Sequence, residues 1–112
     1  MATTEFRRGD CVRLSAPKGA RGHEQRGERF AVVLQADELA ALSTAIVAPT
    51  SQSARGATFR PRVEIDGVET NVLVEQMRAV DHARLGATVD RLDAEELIAV
   101  EEAVRLVLGI WT

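Results

Sequence analysis

The clearest helical period in this chain lies at its very end, and most of what precedes it is cut into short segments that suit strands. Leu97, Val100, Val104, Val107 and Trp111 recur at three- and four-residue steps, so they line one face of a helix over about 93–110. Asp93 stands before that run with Glu96 three residues later, the spacing of a capping box, and Leu92 pairs with Leu97 as a hydrophobic staple. Glu95, Glu96, Glu101 and Glu102 fall away from that stripe and meet water. A helix that buries one stripe needs a sheet to bury it against.

The upstream segments supply the sheet. Residues 9–15 alternate, with Val12 and Leu14 facing one way and Cys11 and Arg13 the other, which reads as a half-buried strand. Residues 29–36 are a short apolar run suited to a central strand, and 43–49 are another buried strand, stopped by Pro49. Asp37 to Leu42 suit a helical turn or a loop. Phe59, Val63 and Ile65 then alternate with Arg60, Arg62 and Glu64, and Pro61 puts that arm at an edge or a bulge. Asp66-Gly67 is a two-residue hairpin signal, with Val68 to Met77 as the return strand. Five strands followed by one helix predict an α+β fold, a small and strongly curved sheet or partial barrel capped by the helix. At 112 residues the expectation is one domain over 1–112. Aromatic residues are 4% of the chain, so its core is built from Val, Leu, Ile and Ala.

Charge narrows the possible partners. Residues 1–62 carry ten basic groups, nine of them arginine, against six acids, whereas 63–112 carry four arginines against eleven acids. An arginine-rich half suits phosphate or carboxylate, because guanidinium offers a planar, bidentate fork. A net charge of −3 argues against a nonspecific nucleic-acid coat. No apolar run reaches the roughly 18–20 residues of a membrane span, and no apolar stretch follows the arginines near the N-terminus as a secretory signal would require. The expected setting is the cytoplasm, with no membrane partner.

Several chemistries lack their residues. His23 and His82 lie 59 positions apart with no acidic cluster at metal-ligand spacing, so no metal or cofactor is expected. Neither a nucleophile-elbow serine nor a phosphate-cradling Gly-x-x-x-x-Gly-Lys loop is present. Cys11 sits in mid-strand and reads as a packed thiol. What remains is polar and gathered at strand ends. Residues 16–28 hold three glycines, a proline and three arginine or lysine side chains without periodicity, a long mobile loop of the functional kind. It runs into His23-Glu24-Gln25-Arg26-Gly27-Glu28-Arg29, and a later strand ends with Thr50-Ser51-Gln52-Ser53. If these strands are neighbours, Arg29 and Thr50 converge beside the loop.

Taken in order, Arg8-Gly9-Asp10, Pro-Lys-Gly, the 23–29 segment, Ala-Val-Val-Leu-Gln, Thr-Ala-Ile-Val-Ala-Pro-Thr-Ser-Gln-Ser and Val-Leu-Val-Glu-Gln-Met-Arg-Ala-Val-Asp resemble the MazF/PemK-type toxins, mRNA interferases of bacterial toxin–antitoxin pairs. The resemblance spans roughly residues 7–110. It implies an SH3-like barrel with a C-terminal helix, a homodimer, and metal-independent cleavage of single-stranded RNA to a 2′,3′-cyclic phosphate and a 5′-hydroxyl. By the same resemblance Arg29, Thr50 and Glu24 are the catalytic candidates. RNA contacts fall to Lys18, Arg21, His23, Gln25, Arg26, Ser51, Gln52 and Gln76. The implied partner is a cognate antitoxin whose acidic, disordered tail competes with RNA. His23 stands where the family often has serine, and Phe30 where proline usually follows the arginine. Two other readings share the fold: a CcdB-type gyrase inhibitor, to which the Leu-Gly-Ile-Trp-Thr ending is similar only in composition, and an SH3-like module that binds RNA without cutting it.

Overall fold

In the computed structural model, residues 5–15 and 29–110 are described. They form seven strands, β1 (Asp10–Leu14), β2 (Arg29–Val33), β3 (Thr44–Ser51), β4 (Arg62–Ile65), β5 (Val68–Val72), β6 (Arg78–Asp81) and β7 (Leu85–Arg91), and then helix α1 (Ala94–Leu108). Every pairing is antiparallel, along the path β4-β5-β3-β2-β1-β7, with β6 also on β3. The expected α+β architecture holds, with seven strands in place of five.

The eight-residue β3 organises the sheet because it changes neighbour partway. Thr44 to Val47 pair with β6, Thr50 and Ser51 pair with β5, and Val47 to Pro49 pair with β2 along the opposite edge. Pro49 therefore does not stop the strand. It sits at the changeover between β6 and β5, where a missing N–H interrupts the ladder least, and its carbonyl accepts the Leu73 N–H at 2.8 Å. The return strand after Asp66-Gly67 is shorter than its apolar composition suggested: β5 ends at Val72, and Val74–Gln76 form a 3-10 turn. The hairpin itself forms as expected, with Asp66 at φ 54° and Gly67 at φ 82°, the two positive values of a type I′ turn. Pro61 lies just before β4, which is an edge strand. The 37–42 segment opens with one 3-10 turn over Asp37–Leu39.

Strand β1 is buried on both faces rather than half-buried. Cys11, Val32, Leu34, Ala48 and Ile65 pack with Val100 and Ala103 of α1 on one side of the sheet. Val12, Leu14, Ala31, Val33, Val47 and Val80 make a second cluster with Phe6 on the other. Strand β7 carries no clean apolar alternation because most of it stays exposed as it pairs with β1. A Cβ on its Gly86 would meet the Arg13 Cβ at 3.2 Å, so glycine is what lets β7 come this close.

The helix is capped as the sequence indicates. The Asp93 carboxylate accepts the Glu96 N–H at 2.8 Å, and the Glu96 carboxylate accepts the Asp93 N–H at 3.0 Å. At the far end Gly109 takes φ 70°, Ile110 donates to the Arg105 carbonyl at 2.9 Å and Gly109 to that of Leu106 at 3.2 Å, a Schellman motif. Leu92 is buried and Leu97 packs on the same cluster, whereas Trp111 lies outside the described residues. Arg8 pairs with Glu101 and Arg91 with Asp10, clipping α1 to the turn before β1 and β7 to the start of β1.

Candidate active site

Strand β2 opens at Arg29, and the β2–β3 register places Ala31 opposite Pro49. Arg29 and Phe30 therefore lie beside Thr50 and Ser51, at the end of the ladder where β3 has turned to β5. The hairpin return adds Val68 and Thr70, and the connection after β3 adds Gln52 and Ser53. Among the described residues, these eight line an open cleft of about 290 Å³. The convergence of Arg29 and Thr50 expected from the strand ends is realised.

The cleft has an apolar wall and a polar one. Phe30 packs against the helix-side core, and the Arg13 guanidinium lies 5.7 Å from the centre of its ring, since β1 and β2 pair Arg13 with Phe30. Thr50 is 8% exposed, and its hydroxyl donates to the Phe30 carbonyl at 3.0 Å. That bond welds the start of β2 to the end of β3 and so holds the base of Arg29 in place. Arg29 itself is exposed. Beyond Thr50 the chain folds back: the Ser51 hydroxyl accepts the Ala54 N–H at 3.1 Å, and buried Asn71 donates its Nδ2 to the Ala54 carbonyl at 3.0 Å. A guanidinium, hydroxyls and a carboxamide at a half-open cleft suit recognition of an anion flanked by a flat, partly apolar group. Among the described residues no three His, Cys, Asp or Glu side chains are grouped to hold a metal ion.

The structure gathers Arg29, Thr50, Ser51 and Gln52 in one place. Gln76 is exposed on the Val74–Gln76 turn and does not line the cleft. Lys18, Arg21, His23, Glu24, Gln25 and Arg26, all within the 16–28 segment, lie outside the described residues. Val68 and Thr70 were missed from sequence, although the Asp66-Gly67 turn carries the signal: it sets the β4–β5 register and so folds β5 back alongside the end of β3. Cys11 is fully buried, and its thiol is pushed up to about 12, first by burial and then by the nearby Asp90, Glu96 and Asp10 carboxylates. It is a packed thiol rather than a nucleophile.

Comparison with known proteins places this geometry in context. The family model of PemK-like, MazF-like toxins of type II toxin–antitoxin systems matches residues 7–108. A toxin-named protein of Mycobacterium tuberculosis is 41% identical, covering 92% of this chain and 97% of its own. Endoribonuclease EndoA of Bacillus subtilis is 36% identical, covering 80% and 83%. A solved MazE–MazF structure from Deinococcus radiodurans superposes with a TM-score of 0.77 at 26% identity, over 97% of this chain and all of that one.

Proposed function

This chain belongs to the PemK-like, MazF-like toxins of type II toxin–antitoxin systems, and from that membership we propose a cytoplasmic, metal-independent endoribonuclease that cuts single-stranded RNA and so arrests translation. The observation that carries the reading is the meeting of Arg29 and Thr50 at one cleft. In-line attack of a ribose 2′-hydroxyl on the adjacent phosphate builds negative charge on the phosphoryl oxygens and yields a 2′,3′-cyclic phosphate and a 5′-hydroxyl. The Arg29 guanidinium stabilises that charge from the rim. The Thr50 hydroxyl at rest serves the Phe30 carbonyl, so it positions β2, and it donates to phosphate only after turning away from that carbonyl. Glu24 takes the 2′-proton or orients Arg29, and a proton is delivered to the departing 5′-oxygen as its bond to phosphorus breaks. Ser51, Gln52, Gln76 and the side chains of Lys18, Arg21, His23, Gln25 and Arg26 contact the bases and backbone.

Two such chains pair to make one RNA groove, and the cognate antitoxin lays an acidic tail into it. The test is incubation of the purified protein with a long RNA in EDTA, followed by mapping of cut sites and end groups. Cyclic-phosphate ends at reproducible sites are expected. Intact RNA together with a stalled gyrase supports the gyrase-inhibitor alternative, and binding without cuts supports the non-catalytic module.

A further inference from the structure

A ten-residue connection, 52–61, joins β3 to β4, and its first two residues, Gln52 and Ser53, line the rim of the cleft. Two side chains from outside it tie it down. Asn71, 2% exposed, holds the Ala54 carbonyl. Glu75, on the same turn as Gln76, accepts both Nε and Nη2 of Arg60 on one carboxylate oxygen, at 2.9 and 2.6 Å. Arg60 spends its Nη1 on the Arg55 carbonyl at 3.0 Å, and its guanidinium lies 5.5 Å from the centre of the Phe59 ring. One arginine thus closes the connection on itself and fastens it to the turn that carries Gln76.

This pair differs from an ordinary surface bridge. The Arg60 and Glu75 side chains are 24% and 26% exposed, whereas those of Arg62 and Glu69 in the neighbouring bridge are 57% and 67% exposed. A sheltered, forked pair holds geometry that an open one does not. Both residues lie outside the two apolar clusters, so the core does not require them. What they join is the 55–60 part of the connection, which continues from Gln52 and Ser53 at the cleft, and the Gln76 turn.

We infer that Arg60, Glu75 and Asn71 are positioning residues that set the separation between the cleft rim and Gln76, and thereby select which nucleotides beside the scissile phosphate are accepted. The inference rests on the endoribonuclease reading. Neither Arg60 nor Glu75 lines the cleft, so they act through the segments they hold.

The experiment uses the full chain as wild type, Arg60→Met, Glu75→Gln, Asn71→Leu and the exchanged double variant Arg60→Glu/Glu75→Arg. Each is given a pool of random-sequence RNA for cut-site mapping, and amide hydrogen exchange is followed over 51–56. The single variants are expected to exchange faster there, to cut a wider set of sites and to raise KM on the preferred site about 10- to 100-fold with kcat changed little. The exchanged double variant recovers part of the selectivity. Glu75→Gln keeps the side-chain shape and serves if Arg60→Met does not fold. Unchanged exchange over 51–56 overturns the clamp, as does faster exchange in an active enzyme whose cut sites do not change. A wild-type chain that cuts no RNA overturns the endoribonuclease reading instead, and the exchange measurement still judges the clamp.

Discussion

Arg29 and Thr50 bear on the same cleft by different routes, and their replacement separates them. Arg29→Ala removes an exposed cation that packs into neither apolar cluster. A folded protein with cleavage lowered about 10²- to 10³-fold is expected. Thr50→Ala removes the hydroxyl that holds the Phe30 carbonyl, so a comparable loss of cleavage comes with a lowered unfolding midpoint. Thr50→Ser keeps the donor and retains most of both. Wild-type turnover in Arg29→Ala would remove that residue from the mechanism. Titration shows at this scale too. The Arg60 guanidinium holds the Glu75 carboxyl below the usual carboxylate range, and the Asp66 and Arg91 backbone N–H groups do the same for Asp90. Both contributions are complete above the unfolded carboxylate pKa of about 4 and are lost as pH falls through the lower folded values. Cys11 acts in the opposite direction: its folded thiol stays protonated up to about 12, whereas the unfolded thiol ionises from about 9. Stability therefore falls as pH rises across that window. Denaturant midpoints measured from acid to alkaline pH check both limbs, and Cys11→Ala flattens the alkaline one.

At the scale of elements, α1 and the β4–β5 hairpin depend on a few local positions. Asp93→Ala removes the acceptor for the Glu96 N–H and leaves the reciprocal half of the capping box alone, at a cost of about 1 kcal/mol. Gly67→Val places a β-branched side chain at φ 82°, costing about 1–2 kcal/mol and loosening the register that brings Val68 and Thr70 to the cleft. Equilibrium unfolding reads the first. The second also shows as weaker RNA binding, because a shift of one residue turns the β5 side chains to the opposite face.

For the whole molecule, the separation of charge matters more than the net −3. The arginine-rich first half contains Arg29 and the 16–28 segment, and the acidic second half contains α1. On the proposed reading a carboxylate-rich antitoxin tail and an RNA backbone use the same guanidinium groups, so the two ligands are expected to compete, and both to weaken as salt rises. A competition measurement with the protein encoded beside this one checks it: tight binding with unchanged RNA affinity rules out a shared groove. Sedimentation at micromolar concentration is expected to give a dimer, because a chain this small gains burial by pairing.

Wherever the physical signal is local, the sequence by itself was sufficient. The Asp93–Glu96 box and the Asp66-Gly67 turn depend on neighbours within a few residues and stand in the structure as read. The apolar runs gave β2 and β3 with shifted ends, and of the helical stripe Leu97, Val100 and Val104 pack on the core whereas Val107 is exposed. The ordered motifs pointed to Arg29 and Thr50, and short apolar runs marked the strands that carry them. Tertiary contacts decided the rest. Strand β7 was invisible because an exposed edge strand need not alternate, and Pro49 misled because its effect depends on which neighbour β3 has at that point. Burial of both faces of β1 follows from the curl of the sheet, which no single segment encodes. The Arg60–Glu75 pair joins residues fifteen positions apart, and nothing in their spacing announces a clamp until the hairpin folds back and the two meet.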